Sequence, residues 1–471
     1  MRSDAISRIA GASIVAISAL LLLIAARGDL WLDEIWSIDF ARAARVPSEI
    51  LSFHHDNNHV LNTLYLFAVR SAHTALVFRM FAIASGVGIV MLAGSVALEW
   101  GAIERVASMA LLAFSYPLVI YGSEARGYAP AMFFALLAYR ILRRYRFDDR
   151  LLPAAAFWIV CVLGLLSHLT FAMAIIAFAA GSLAYGGRRP MRIQAMRQAV
   201  YHAPPLLFLA WWSTFFGTGM VFGRGPVYRW SDVIGRATIL LLGFPDAPAL
   251  RIAGIAAVVV IVLAGSVVLR RRGDDSWLFY PVMCLACPAL FLVVMQPRYL
   301  YFRYFVVCFP FVYLLLGYLI ARAATAETYR WLVAVVAVVV LSTHIARIAR
   351  LVRIGRGQYR AALRMMVTET RGNVLRVGSD DDIANGVVLR FYSSELPPSM
   401  TIHYVSLALW PREPPEWFIY HTQRTDEEPA PGLILRGAGA YRFVQRYPFE
   451  GTSGWQWFVF RRASAPGGVI D

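Results

Sequence analysis

The chain has 471 residues, of which 59% are hydrophobic and only 16% charged, and its mean hydropathy is +0.57. A soluble domain carries about a quarter charged residues, so this chain lacks the polar surface for an aqueous fold of its size and reads as a polytopic membrane protein. The net charge is +16 and every basic residue is arginine; without lysine, a P-loop NTPase and a pyridoxal enzyme are excluded.

Charge-free runs at 9–26, 80–97, 106–123, 127–139, 151–167, 169–187, 203–223, 252–269, 276–297, 304–321 and 331–346 predict about eleven transmembrane helices. The first run follows Arg2 and Arg8 and has the length of an uncleaved anchor. Arg143, Arg144, Arg146 and Arg150 share one loop, Arg188, Arg189, Arg192 and Arg197 another, and Arg270, Arg271 and Arg272 a third. The positive-inside rule places these loops and the N-terminus in the cytoplasm and the C-terminal tail outside. Arg126, Arg224, Arg229, Arg298 and Arg303 then face outward, against that rule, which points to an anionic ligand. Cys161, Cys284, Cys287 and Cys308 all lie in apolar stretches and read as packing, not as a zinc site or a disulfide framework.

Between the first two runs lies a long outer loop, about residues 27–79. It opens on Gly28-Asp29-Leu30-Trp31-Leu32-Asp33-Glu34-Ile35-Trp36-Ser37. Acids flanked by tryptophans just after a span sit at headgroup level. They read either as an interfacial helix with solvated acids or as a carboxylate base where lipid-borne and aqueous substrates meet. The loop continues through His54-His55-Asp56-Asn57-Asn58-His59, whose spacing matches no closed zinc site; a polar turn leading into an amphipathic helix at 60–70 reads equally well.

Farther on, Tyr121-Gly122-Ser123-Glu124-Ala125-Arg126-Gly127-Tyr128 puts an acid and a base one residue apart between two spans. That pair is costly unless it is a local ion pair or faces water or a ligand. His168, in Leu166-Ser167-His168-Leu169-Thr170, marks the outer end of another run and alone reads as structural. Gln296-Pro297-Arg298-Tyr299-Leu300-Tyr301-Phe302-Arg303-Tyr304 interleaves arginines with tyrosines, which suits either interface anchoring or phosphate recognition beside an acyl chain.

After about residue 350 the composition turns polar. Short alternating segments at 374–377, 401–406, 416–421, 441–447 and 455–461, the last two joined by Gly451-Thr452-Ser453-Gly454, predict a small extracytoplasmic α/β domain ending in a hairpin. The expected division is therefore a membrane domain over 1–350 and a soluble domain over 351–471.

Taken in order, these segments resemble the bacterial GT-C glycosyltransferases that use polyprenyl-phosphate sugars, a group with the protein O-mannosyltransferases and the lipid A aminoarabinose and galacturonic acid transferases. Asp33-Glu34 after the first span, Ser123-Glu124-Ala125-Arg126-Gly127-Tyr128, Leu166-Ser167-His168 and Pro297-Arg298-Tyr299 carry the resemblance over about residues 1–350. The family's frequent His-Pro-Pro-Leu-Tyr is replaced by His59-Val60-Leu61-Asn62-Thr63-Leu64. The resemblance implies an inverting displacement at the anomeric carbon of a polyprenyl-phosphate sugar, onto a glycan, lipid or protein acceptor. It casts Asp33 as base, Glu34 as its supporting acid and Glu124 as the group that orients acceptor or metal. Arg126, Arg298, Tyr299 and Arg303 would face the donor phosphate, and His59, Tyr128 and His168 the substrates. A divalent cation, where used, would fall to Asp33 and Glu124. A transporter, flippase or polymerase of lipid-linked glycans is the competing class. It would call for charges near mid-membrane and internal repeat symmetry, and the runs show few of the former and none of the latter.

Overall fold

The computed structural model describes residues 2–145, 150–184, 190–223, 225 and 227–463. Arg146, Arg188, Arg189 and Arg224 of the predicted loops lie outside the described residues. Every predicted apolar run carries helix. In chain order the helices are α1 (Arg2–Ala25), α2 (Leu32–Ala43), α3 (Val60–Ala68), α4 (Ala75–Ala97), α5 (Ala102–Ala113), α6 (Tyr116–Gly122), α7 (Tyr128–Tyr145), α8 (Leu151–Ser167), α9 (Ala172–Gly181), α10 (Met191–Gly217), α11 (Trp230–Leu242), α12 (Pro248–Arg271), α13 (Phe279–Pro281), α14 (Cys287–Met295), α15 (Phe309–Ala324) and α16 (Glu327–Ile354). Among the described residues, six helical stretches are long and apolar enough to cross a membrane, or seven if α5 and α6, bent by 58°, form one span. The other runs fall short for physical reasons. The α8 helix has 17 residues, and α10 holds Pro204 and Pro205 and the charges of Arg192 and Arg197 at its start.

The chain divides into two compact units, Met1–Ala26 with Phe40–Ile348 and Arg27–Asp39 with Ala349–Asp471. The first is helical. There α1 packs on α4 and α5, and α4 on α7. Leu22 fills a notch between α4 and α6 where a Cβ on Gly86 or Gly122 would come within 2.8 or 2.7 Å of its methyls. Arg79 is fully buried and its guanidinium donates to the Ala26 carbonyl at 2.8 Å, a cation closing the C-terminal end of α1. Elsewhere in this unit Arg143 is clamped by Glu99 at 2.8 Å, Asp274 at 3.1 Å and the Ser276 hydroxyl at 2.7 Å.

The second unit is an α/β fold. After α17 (Tyr359–Glu369) come β1 (Val374–Ser379), α18 (Ala384–Ser393), β2 (Thr401–Tyr404), β3 (Trp417–Thr422), β4 (Gly432–Leu435), β5 (Gly439–Tyr447) and β6 (Gln456–Arg462). The sheet order is β2-β1-β3-β6-β5-β4; β1 runs parallel to β2 and β3, and the remaining pairs are antiparallel. One face buries Trp410, Phe418, Tyr441, Phe458 and Phe460 together. The expected β5–β6 hairpin is present, with Gly451 at φ 107° and Gly454 at φ 89°. The sequence reading missed β4, a four-residue edge strand whose Ile434 is 89% exposed; no buried alternation announces it.

Candidate functional site

In the helical unit the site starts at the polar turn before α3. Asn58 builds that turn: its amide donates to the carbonyls of Ile50 at 2.8 Å and Phe53 at 3.0 Å, and its oxygen accepts from the Thr63 hydroxyl at 2.9 Å. Asp56 and His54 bond the backbone of Val221, and the Gly223 N–H donates to the Asp56 carboxylate at 3.1 Å. This fastens the turn to the segment after α10. Burial alone would raise the Asp56 carboxyl, but the hydrogen bond and charge of His55, the Gly223 N–H and the charge of Arg126 outweigh it and hold the group below its ordinary value.

The turn delivers His59 against the Glu124-Ala125-Arg126-Gly127-Tyr128 segment. The Gly127 N–H donates to His59 Nδ1 at 2.7 Å, which leaves the imidazole's proton on Nε2. Burial, then the charges of Arg126, His168 and Arg303, push His59 well below its ordinary value. It is a neutral, oriented ring. Its centroid lies 4.6 Å from that of His168 and 5.2 Å from that of Tyr128, and Tyr128 and His168 are 4.7 Å apart. Gly127 is obligatory here, because a Cβ would stand 1.8 Å from the Ser167 carbonyl oxygen and 2.9 Å from His59 Cβ. His168 ends α8 through its backbone N–H, and its Nδ1 accepts from the Thr170 N–H at 3.1 Å, capping the short turn Leu169–Phe171.

Arg126 is buried, its guanidinium bonding the Asn57 side chain and, at 3.3 Å, the Asn57 carbonyl, with its Cζ 5.6 Å from the Tyr128 ring centre. Asn62 donates to the Ala125 carbonyl at 2.9 Å and so holds the same segment from α3. Glu124 is fully buried in it. Arg303 lies over Tyr301, 4.5 Å from the ring centre, and its charge bears on both His59 and His168. The structure thus gathers His59, Arg126, Tyr128 and His168, with Arg303 beside them. Sequence reasoning passed over Asn57 and Asn62, whose function is to hold Arg126 and its backbone; the signal was their place in the His-His-Asp-Asn-Asn-His run and its continuation.

Arg298 goes elsewhere. It lies over Tyr299, 5.5 Å from the ring centre, and lines a cavity of about 900 Å³. The cavity walls are apolar, with Trp230, Val258, Leu292 and Phe305 among them, and a second arginine, Arg229, lies in the lining. Among the described residues neither guanidinium has a carboxylate partner.

Asp33 and Glu34 belong to the sheet unit. Both are buried and both sit in the first turn of α2, where carboxylates suit the helix dipole. Glu34 Oε2 accepts from the Trp31 N–H at 3.3 Å, half of a capping box, and the Ser37 hydroxyl donates to the Asp33 carbonyl at 3.0 Å. Glu34 therefore has a holding role in starting the helix that presents Asp33. Beside them burial pushes Tyr359 above its ordinary value, opposed next by its bond to the Trp455 backbone, while the charges of Asp29, Glu34 and Asp33 add smaller upward pushes. Among the described residues no group of three His, Cys, Asp or Glu side chains comes together to hold a metal ion.

No family model and no curated sequence matches the chain. Among solved structures, ArnT from Cupriavidus metallidurans in the apo state is similar, at 12% identity and a TM-score of 0.53, over 87% of this chain and 92% of that one. ArnT from the same organism bound to undecaprenyl phosphate matches at 11% identity and a TM-score of 0.52, over 97% and 99% of the two chains. At such identities the likeness is one of fold: the chain is built as the GT-C glycosyltransferase ArnT is built, the type its motifs resemble.

Proposed function

We propose that the chain is an inverting glycosyltransferase that moves a sugar from a polyprenyl-phosphate donor to an extracytoplasmic glycan, lipid or protein. The observation that carries this reading is the apolar cavity lined by Arg229 and Arg298 in a fold shared with a protein crystallised with undecaprenyl phosphate. An isoprenoid tail fits such walls, and guanidinium groups without carboxylate partners suit a phosphate. In this reading α7, α8, α9 and α10 complete about eleven crossings, with the sheet unit outside the cytoplasm.

In the reaction the Asp33 carboxylate takes the proton of the acceptor hydroxyl as its oxygen attacks the anomeric carbon from the face opposite the phosphate. The bond from that carbon to the phosphate oxygen breaks, and the lipid phosphate leaves with the electron pair. Arginine charge at the cavity, from Arg298 and Arg229, stabilises the negative oxygen as it develops, and Arg126 and Arg303 supply positive charge beside the imidazoles. His59 and His168, held neutral, contribute hydrogen-bonding and aromatic surface for the sugar without repelling a cationic arginine neighbour. Glu124 orients the acceptor.

The test combines two measurements. The envelope glycans and lipids of a deletion strain, compared with wild type, should lack one sugar that the wild-type gene restores and Asp33→Asn does not. General-base loss costs about 10²–10⁴ in rate, so restoration by Asp33→Asn at the wild-type rate would remove Asp33 as base. Purified protein that fails to bind undecaprenyl phosphate would remove the donor assignment.

A further inference from the structure

The acidic segment read as the catalytic edge of the first outer loop is built into the sheet unit, and the contacts that fix it are specific. Asp29 accepts from the Arg360 backbone N–H at 2.9 Å and from Arg360 Nη1 at 3.0 Å. The same guanidinium gives its other edge to Glu395, with Nε to Oε2 at 2.7 Å and Nη2 to Oε1 at 2.8 Å. Arg360 stands in the first turn of α17 and Glu395 just beyond α18. The guanidinium also lies 5.0 Å from the ring centre of Tyr392, whose hydroxyl donates to the Leu30 carbonyl at 2.9 Å. Tyr359, one residue before Arg360, bonds the Trp455 backbone and packs edge-on to Trp457, which ties α17 to the sheet.

Arg360 is thus a planar hub with one edge on each of two carboxylates and one face on a tyrosine. Lysine, a point charge without the fork, cannot reproduce it. Its two anchors, Asp29 and Leu30, immediately precede the turn in which Asp33 stands. Leu30 and Asp29 are themselves separated from their partners by 362 and 331 positions in sequence, so nothing local dictates the arrangement. The half-buried ion triad, with side-chain exposures of 26% for Arg360 and 13% for Asp29, is worth little as stability at a wet surface. Its value lies in direction: it fixes the path of the backbone into α2.

We propose that the sheet unit is the carrier that aims the Asp33 carboxylate, with Arg360 as positioning residue and Tyr392 as the second anchor. This rests on the reading of Asp33 as base. It gives the C-terminal unit a part in the chemistry in addition to any contact with the acceptor. Misplacement of a reacting group by about 1 Å costs about 10²-fold in rate, so losing the anchors should lower turnover without touching donor binding.

The test uses full-length protein and membranes of the deletion strain, which hold the native donor and acceptor, with four variants, Arg360→Met, Arg360→Lys, Tyr392→Phe and Asp33→Asn. Three quantities are read: the initial rate of sugar transfer, the affinity for undecaprenyl phosphate, and hydrogen exchange in peptides covering residues 27–39. The expected result for Arg360→Met is a rate lowered about 10–100-fold, undecaprenyl phosphate affinity unchanged, and faster exchange in 27–39. Arg360→Lys should recover part of the rate, and Tyr392→Phe should show a smaller loss of the same kind, which keeps the test decisive if Arg360→Met does not fold. If Asp33→Asn abolishes transfer while Arg360→Met and Tyr392→Phe keep the wild-type rate, the carrier role is overturned and the base assignment stands. If Asp33→Asn keeps the wild-type rate, the base assignment falls first. Loss of undecaprenyl phosphate affinity in step with rate, in Arg360→Lys and Tyr392→Phe alike, would mean general damage and would also overturn the proposal.

Discussion

Arg143 and Arg298 both sit among apolar helices, and the helical unit treats them in opposite ways. Arg143 is 6% exposed and its donors are spent on Glu99, Asp274 and Ser276, while Trp100 and Tyr139 cover its faces. Asp274 in turn accepts from Trp100 Nε1 at 3.0 Å and from the Ser276 N–H at 2.9 Å. Every charge in that cluster is answered by the protein itself. Arg298 and Arg229 stand at an apolar cavity with no carboxylate partner among the described residues. A closed ion cluster specifies the packing of α7 against its neighbours; an open arginine at a cavity is available to something the chain does not supply. The same residue type therefore closes a cluster in one place and lines a cavity in the other, and partner geometry, not charge, separates them.

The largest effect is expected at Arg143. Removing one member of a buried cluster leaves the opposing carboxylates unanswered, at a cost of about 3–5 kcal/mol. Arg143→Met should lower the thermal midpoint and the yield of folded protein, with undecaprenyl phosphate affinity retained in whatever remains folded. A variant of unchanged stability would show that the cluster is not what holds α7.

Arg298→Met should behave in the reverse sense. A charge-assisted hydrogen bond to phosphate contributes about 1.5–3 kcal/mol, so undecaprenyl phosphate affinity should fall at least about tenfold, with a steeper loss in the double variant with Arg229→Met. The thermal midpoint without ligand should stay put, since among the described residues neither guanidinium answers a carboxylate. Unchanged affinity in the double variant would return both arginines to interface anchoring.

That division shows what a sequence can carry. The apolar runs disclosed where helix forms because membrane helices need long charge-free stretches, and each run carries helix among the described residues. The motifs disclosed the type of fold. Within the Glu124–Tyr128 segment, Gly127 was legible as part of a motif, though its reason, a Ser167 carbonyl oxygen pressed against its α-carbon, depends on α8. Asn57 and Asn62 were visible as polar residues but not as the groups that fix Arg126 and Ala125. Arg126, Arg298 and Arg303 read as one phosphate set from their shared outward side. The structure puts Arg126 and Arg303 around the imidazoles and Arg298 at the cavity, a partition set by packing between α7, α8 and the segment after α14. The membership of Arg27–Asp39 in the sheet unit was illegible, because its anchors Arg360, Tyr392 and Glu395 are long-range partners with no motif of their own.

The smallest expected effect concerns His59, where the site's electrostatics can be read through pH. Its Nδ1 accepts the Gly127 N–H, so a proton added there would break that bond. Burial, Arg126, His168 and Arg303 all oppose the charged ring and lower its affinity for protons. In the unfolded chain the same histidine titrates near about 6.5. Below that pH the unfolded state binds a proton that the folded state refuses, so stability is full above about pH 6.5 and is lost as pH falls. The slope is at most about 1.4 kcal/mol per pH unit for one such group. His168, lowered to about 3 by burial and by the same two arginines, with Asp56 pulling weakly the other way, adds in the same sense. His59→Gln keeps an acceptor for the Gly127 N–H and removes one titrating ring. Its thermal midpoint should therefore fall less steeply than that of wild type between pH 7 and pH 5, while the two differ least in slope above pH 7. A variant as pH-sensitive as wild type would mean that His59 takes up its proton in the folded state, and its ring could not be the neutral partner of Arg126 and Arg303 that the geometry describes.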